Sequence, residues 1–438
     1  MNRRKCVAIL TAAAALGLAG CSSSGSGGSG SVSAAASKTL VVQTTSYYSA
    51  YEMAVGKLLQ KQNPGLKITY QQVSAQQEIS TNLQVLASNS APDVGDAPIN
   101  GNVYPVLVKA GELLPLTDVW SAANLDTAYG SSLAGSLKVN GTPYVVDYSN
   151  VLYGFAWYSE DIFAKLHIPA PVNHTIPTMA ALLKITNELR AGGYQPLLIP
   201  GGGEQYWNWM VDAFLPTSAT PAEYQNYLTN FNPKVPVTTS YADPEFAAVF
   251  NRLKVMYDEK MFQDGVIGMN NASTQALFAS GKAGMIMGHA LTPDALDTLA
   301  KTKLSLNWVL LPPMNPAKKS LPIVYNGNTF VIPKNAHNPA MAKKYLELMM
   351  SPQMQEQIST LAGGAEPAIK LPTPTSDPYG LLKFVAANGD YVGWAAVTPG
   401  ALNQVDSEVQ AVETGKQTAQ QVGKEIDAER DKIRAGGS

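Results

Sequence analysis

Cysteine is nearly missing. The 438-residue chain has 2, Cys6 and Cys21, both at its N-terminal end. The rest of the chain therefore has no disulfide and no thiolate metal site. Charge is thin as well. Charged residues make up 15% of the chain, against ~25% in ordinary globular proteins, and the net charge is -2. That leaves no basic field for a nucleic acid. There are 4 histidines, His167, His174, His289 and His337. None belongs to a His-Glu-x-x-His pair or a spaced metal cluster. A Gly-x-Ser-x-Gly elbow is absent, and no glycine-rich loop ends in Gly-Lys-Ser or Gly-Lys-Thr. No catalytic residue, metal or cofactor is assigned. Arginine is scarce in the body of the chain, with Arg190 and Arg252 inside polar helical faces. Arginine is the usual bidentate clamp for phosphate and carboxylate, so its scarcity favours a neutral ligand.

What is present begins at the N-terminus. Arg3, Arg4 and Lys5 precede an uncharged apolar run from Val7 to Gly20. This is the pattern of a secretory signal, too short for a membrane helix of ~20 residues. Ser22–Ser37 reads SSSGSGGSGSVSAAAS and cannot bury apolar surface, so a flexible tether is expected. A chance G-x-G-x-x-G in it lacks the flanking strand and helix of a dinucleotide site. About 400 residues remain, a length that suggests two domains. Their hydrophobic patterning alternates strands with helices. KTLVVQ (38–43) reads as a strand, Ser49–Gln62 as a helix, Leu66–Gln72 as a strand and Glu78–Ala87 as a helix. Val151–Tyr158 is a continuous apolar run. Thr178 is a candidate N-cap, and Ala401–Glu413 and Gln417–Ile433 close the chain as helices. Such alternation predicts an α/β fold.

Several segments then fall into a familiar order. Leu18-Ala19-Gly20-Cys21 resembles the lipobox of bacterial lipoproteins, which implies cleavage before Cys21 and a lipid on it. "PDVGDAPINGNVYPVLVKAGELLPLTD", "GTPYVVDYSNVLYGFAWYSEDIFAKLHI", "PTMAALLKITNELRAGGYQP", "FASGKAGMIMGH" and "ETGKQTAQQVGKEIDAERDKI" resemble successive motifs of family 1 extracellular solute-binding proteins. Ser159 stands where that family has Asn, and Met179 where it has Trp. The resemblance covers nearly the whole mature chain. It implies a two-lobe α/β fold of the type II periplasmic-binding-protein kind, with a ligand cleft between hinged lobes. By the same resemblance, 1–20 is the signal and 21–37 the tether. Lobe I is then 38–150 with about 328–368, and lobe II is 151–327 with about 369–438. The chain would cross between lobes near Ser149–Leu152, Asn326–Asn328 and Glu366–Ala368. The implied partners are a carbohydrate, the permease subunits of an ABC importer, and a membrane reached through Cys21. A monomer is expected.

A sugar site needs rings for the C–H faces and polar groups for the hydroxyls. Tyr47 and Tyr48 follow the first strand. Asp96 ends a strand, where α/β sheets place ligands, or else caps a helix. Asp147, Asn150 and Tyr153 flank the first crossing, and Asn326 lies at the second beside Gly327, a hinge candidate or a plain turn. His289 follows Gly288 where relatives place an aromatic, and Trp394 resembles an aromatic of the C-terminal lobe or else fills core. "GGGEQYWNWMVDAF" (201–214) carries two of the 6 tryptophans. Treated as a helix over Glu204–Leu215, it puts Trp207, Met210, Val211 and Phe214 in one stripe, the core face. Trp209 lies opposite and Tyr206 at the margin, one turn before it. A Trp there is wet, buried by another element, or covered by ligand. Tyr206 and Trp209 are the preferred platform, with Trp207 a lesser candidate. Two other readings stay open from sequence: a lipid-anchored carbohydrate-active enzyme, and a sensor or scaffold lipoprotein.

Overall fold

The computed structural model describes residues 38–435, apart from 46–47, 74, 98, 100–102, 130–133, 136, 203–205, 289–295, 298–299, 362–365, 370, 372–376, 378 and 395–401. Thirteen strands are named: β1 (Thr39–Thr45), β2 (Lys67–Val73), β3 (Gly95–Asp96), β4 (Lys138–Val139), β5 (Thr142–Pro143), β6 (Val145–Tyr153), β7 (Phe155–Ser159), β8 (Gln195–Leu198), β9 (Ala283–Gly288), β10 (Leu306–Leu310), β11 (Ile323–Val331), β12 (Glu366–Pro367) and β13 (Tyr391–Val392). Among the described residues, no helix is long and apolar enough to cross a membrane.

Two long antiparallel strands organise the molecule. β6 pairs with β11, and β12 adds to the other edge of β6. Val145, Val146 and Tyr148 of β6 are packed in one core with Phe330 and Val331 of β11. Val151 and Tyr153 of β6 and Ile323 of β11 belong to another. Each long strand thus starts in one core and ends in the other. The three segments expected to cross lie side by side here: Asn150 is paired with Asn326 on one side and with Glu366 on the other. Ile369 still packs into the first core.

The first core is closed by β1, β2, β3 and the helices Ser49–Gln62 and Pro339–Met349. Asp93 ties these parts together. Its carboxylate accepts from the amides of Val41 at 2.7 Å and Asn338 at 2.6 Å, and Asn338 caps the helix Pro339–Met349. The second core lies on one face of a sheet ordered β10-β7-β9-β8. A third cluster covers the opposite face. Ala156 and Tyr158 point to the one, Phe155 and Trp157 to the other. That is strand alternation with both faces buried, which is why the sequence showed an unbroken apolar run. Gly154 makes the corner between β6 and β7 at φ +82°, and a side chain there would meet Ile323.

Local signals explain the helices. Ser159 accepts from the Ile162 amide at 3.3 Å and caps Glu160–Lys165, a role that Asn fills equally. Thr178 caps Met179–Ala191 as expected, and Thr418 forms a capping box on Ala419–Arg434.

Candidate functional site

The crossing has an irregular ladder. On β11, Asn326 opposes Asn150 and Asn328 opposes Ser149, so Gly327 is an extra residue. Next, Thr329 opposes Asp147, which makes Tyr148 an extra residue on β6. A bulge on each strand, one step apart, re-aims side chains and raises the local twist. The polar residues of the site sit on and beside these bulges.

Asp96 ends β3, opposite Phe330 of β11. Its amide donates to Gln43 Oε1 at 3.0 Å, and its carbonyl accepts from Asn82 Nδ2 at 2.8 Å. The backbone is therefore occupied as strand, not as a helix cap, and the carboxyl group is left over. The residue is 3% exposed, and Oδ1 has no hydrogen-bond partner. Burial pushes its pKa up to about 8, with the Thr329 side chain opposing. Asp147 is fully buried, and its carboxyl group is approached by the backbone amides of Ser149 and Asn328 but by no side-chain donor. Its backbone is fixed by Tyr129, whose hydroxyl donates to the Asp147 carbonyl at 2.7 Å and accepts from its amide at 3.1 Å. Burial raises the Asp147 carboxyl well above the carboxylate range. The amides of Ser149 and Asn328 oppose this, and Asp96 adds to it. Asn150 Oδ1 is a further buried acceptor without a partner.

Tyrosines surround these acids. Tyr48 is buried with its ring edge-on to Tyr148 at 5.8 Å. Burial pushes its phenol up to about 12, against lowering by Ser149 and Asn328. Tyr148 donates to Glu52 Oε1 at 2.6 Å and stacks on Tyr51. Asn328 Nδ2 donates to Ser149 Oγ at 2.8 Å.

The rings lie at the far end of β6. The Trp209 ring is 5.3 Å from Tyr153 and 5.0 Å from Tyr206, centroid to centroid. The Tyr153 hydroxyl donates to Asp212 Oδ2 at 2.5 Å, and the Trp394 amide donates to Asp212 Oδ1 at 2.8 Å. Gly393 makes room for this, since a side chain there would meet the Tyr153 hydroxyl. The helix runs Tyr206–Ser218 and is buried nearly all round. Its second face is therefore not wet: Tyr206 is 3% exposed, while Trp209 keeps partial exposure. Trp209 thus packs against Tyr153 of β6 while keeping part of its surface exposed.

Two sequence candidates pack into the core. Trp207 is fully buried, donates its indole N–H to the Gly201 carbonyl at 3.0 Å and packs edge-on to Phe262. It is core, as its helical stripe required. Trp394 is also fully buried, donates its indole N–H to the Tyr241 hydroxyl at 3.1 Å and packs against Phe246. Neither offers a face to a ligand here. Tyr47, His289 and Cys21 lie outside the described residues, and the Asn326 backbone alone is described, paired with Asn150. Sequence reasoning missed Asp212. Its signal was the one charged residue of the helix Tyr206–Ser218, one turn after Trp209. Arg430 and Arg434 were also passed over; Arg430 pairs with Asp427 and Asp431, and Arg434 Nη1 donates to the Asn230, Asn232 and Val235 carbonyls. Among the described residues, no group of three metal-ligating side chains occurs.

Buried acceptors line the crossing, and rings stand at its end. The chain is 22% identical over 315 residues to an osmoprotective compounds-binding protein of a Synechocystis species, covering 69% of this chain and 70% of that one. It is 23% identical over 350 residues to an uncharacterised ABC transporter extracellular-binding protein of Pyrococcus horikoshii, covering 74% and 70%. A solved chitin oligosaccharide binding protein superposes with a TM-score of 0.74 at 18% identity, over 91% of this chain and 99% of that one. The fold is thus that of the two-lobe periplasmic sugar-binding proteins. Residues 42–356 match the family model described as bacterial extracellular solute-binding protein, a family of binding proteins and not of enzymes. The chain belongs to the bacterial extracellular solute-binding protein family.

Proposed function

We propose that the protein is a lipid-anchored receptor that captures a carbohydrate between its lobes and delivers it to the permease of an ABC importer. The observation that carries this reading is the set of buried acceptors without side-chain donors at the crossing: Asp96 Oδ1, both Asp147 oxygens and Asn150 Oδ1. Folded chains rarely leave buried polar atoms short of donors, and a bound ligand is one source of them. Sugar hydroxyls are donors of the right kind, and Trp209, flanked by Tyr153 and Tyr206, supplies an apolar face. Lobe I comprises 38–150 with about 328–368, and lobe II 151–327 with about 369–438. Opening along β6, β11 and β12 admits the ligand, and closing buries it. Tyr48 stands beside the same acids in this reading. Cys21 carries the lipid and holds the monomer outside the cytoplasm. The family's place of action and the names of the similar proteins support the transport role.

The test uses Cys21→Ser protein, which is expected in the soluble fraction while the parent stays with membranes. Isothermal titration against a saccharide panel is expected to give saturable binding to at least one sugar. Chromatography should recover that sugar unchanged. Turnover, or no binding across the panel, contradicts the reading.

A further inference from the structure

Resting on the carbohydrate reading, we infer that the preferred ligand carries a protonated amino group, recognised by Asp96 and Asp147. The inference begins with a donor and acceptor census. Asp96 Oδ1, Asp147 Oδ1 and Oδ2, and Asn150 Oδ1 are all buried acceptors without a side-chain donor, and backbone amides, those of Ser149 and Asn328, approach the Asp147 carboxyl. On β3, β6 and β11 the unpaired buried side-chain atoms of the described residues are oxygens only. A hydroxyl offers one donor and brings two lone pairs that need donors in turn. An ammonium offers three donors and no acceptor, which matches a site of this kind.

Charge points the same way. The groups whose fields bear on these two carboxyls are Tyr48, Tyr129, Tyr148 and each other, with Glu52 behind them on Tyr148. None carries a positive charge, and the phenols are neutral at pH 7. Among the described residues no lysine, arginine or histidine forms an ion pair with Asp96 or Asp147. The arginines are employed elsewhere: Arg190 on Asp264 and the Phe262 carbonyl, Arg252 over the Phe214 ring, and Arg430 and Arg434 in the C-terminal helix. Two buried carboxyls without a cation stay protonated or await one. A cationic ligand supplies it, in a water-excluded site where the charge-assisted bonds are strongest. This changes the neutral saccharide expected from the sequence. Scarce arginine disfavours an anion, and buried acids without a cation go further and select one.

The test compares three trisaccharides with one β-1,4-linked glucose backbone: 2-amino, 2-acetamido and 2-hydroxy. At pH 7 the 2-amino form is expected to bind at least about tenfold more tightly than either counterpart. Titration at about pH 5.5, where the amine is already protonated, in two buffers of different ionisation enthalpy should show net proton release with it, because the ammonium binds the ionised carboxyls. Asp147→Asn and, as a second variant, Asp96→Asn are expected to lose both the preference and the proton release while keeping the parent's circular dichroism. Equal or tighter binding of the 2-hydroxy or 2-acetamido form overturns the inference and leaves the carbohydrate reading standing. So does failure of all three when another, uncharged sugar binds. Failure of every saccharide overturns both.

Discussion

Two tryptophans one residue apart have different work. Trp207 is enclosed on all sides and its indole N–H is satisfied by Gly201. Trp207→Ala is expected to cost roughly 3–5 kcal/mol of stability, read by denaturant unfolding. Trp209 touches two rings and remains partly exposed. Trp209→Ala is expected to weaken sugar binding about tenfold, the equivalent of ~1.4 kcal/mol of lost ring contact, with a smaller loss of stability. Normal affinity in that variant would remove Trp209 from the site. The separation of these two residues was legible in the sequence, because 3.6-residue periodicity alone puts them on different faces. The partner of Trp209 was not, because nothing in a helical wheel says that Tyr153, more than 50 residues earlier, packs against it. Asp212 was hidden for the same reason: its role depends on Tyr153 and on the Trp394 amide, both distant in sequence.

At the scale of elements, caps and periodicity did most of the reading. Thr178, Ser159 and Thr418 sit where their side chains satisfy free amides. Bulges at Gly327 and Tyr148 could not be read, since register is a property of two strands together. The C-terminal helices Leu402–Glu413 and Ala419–Arg434 pack on Pro244–Asp258 and carry an unadvertised cost. Glu413 is buried and neither carboxyl oxygen has a hydrogen-bond partner. Burial pushes its pKa up to about 9, which Lys254 opposes and Asp258 reinforces; burial pushes Glu408 up to about 7, with Glu425 adding to it. A carboxyl whose folded pKa is raised binds its proton more tightly in the folded state. Stability therefore falls as pH rises from the ordinary glutamate value of 4.5 through about 9. Glu413→Gln is expected to unfold at a higher temperature than the parent at pH 8 and to lose that advantage at pH 4. An unchanged difference across that range would show that Glu413 does not titrate with folding.

Among the described residues, three strands lie side by side where two of the three hydrophobic clusters meet. β6 and β11 each begin in one core and end in the other, and β12 joins them at Asn150. The acids sit on the shared strands and beside them, and the rings sit where β6 leaves. A change in the angle between the cores would therefore act first on these side chains, which is the geometry a ligand-closed receptor requires. The most direct measurement is a crystal structure of the protein grown with the tightest-binding saccharide from the panel. The account predicts sugar density at the crossing, within hydrogen-bond distance of Asp96, Asp147 and Asn150 and against the Trp209 ring. Density bound elsewhere on the surface, with those carboxyls still unpaired, would contradict it.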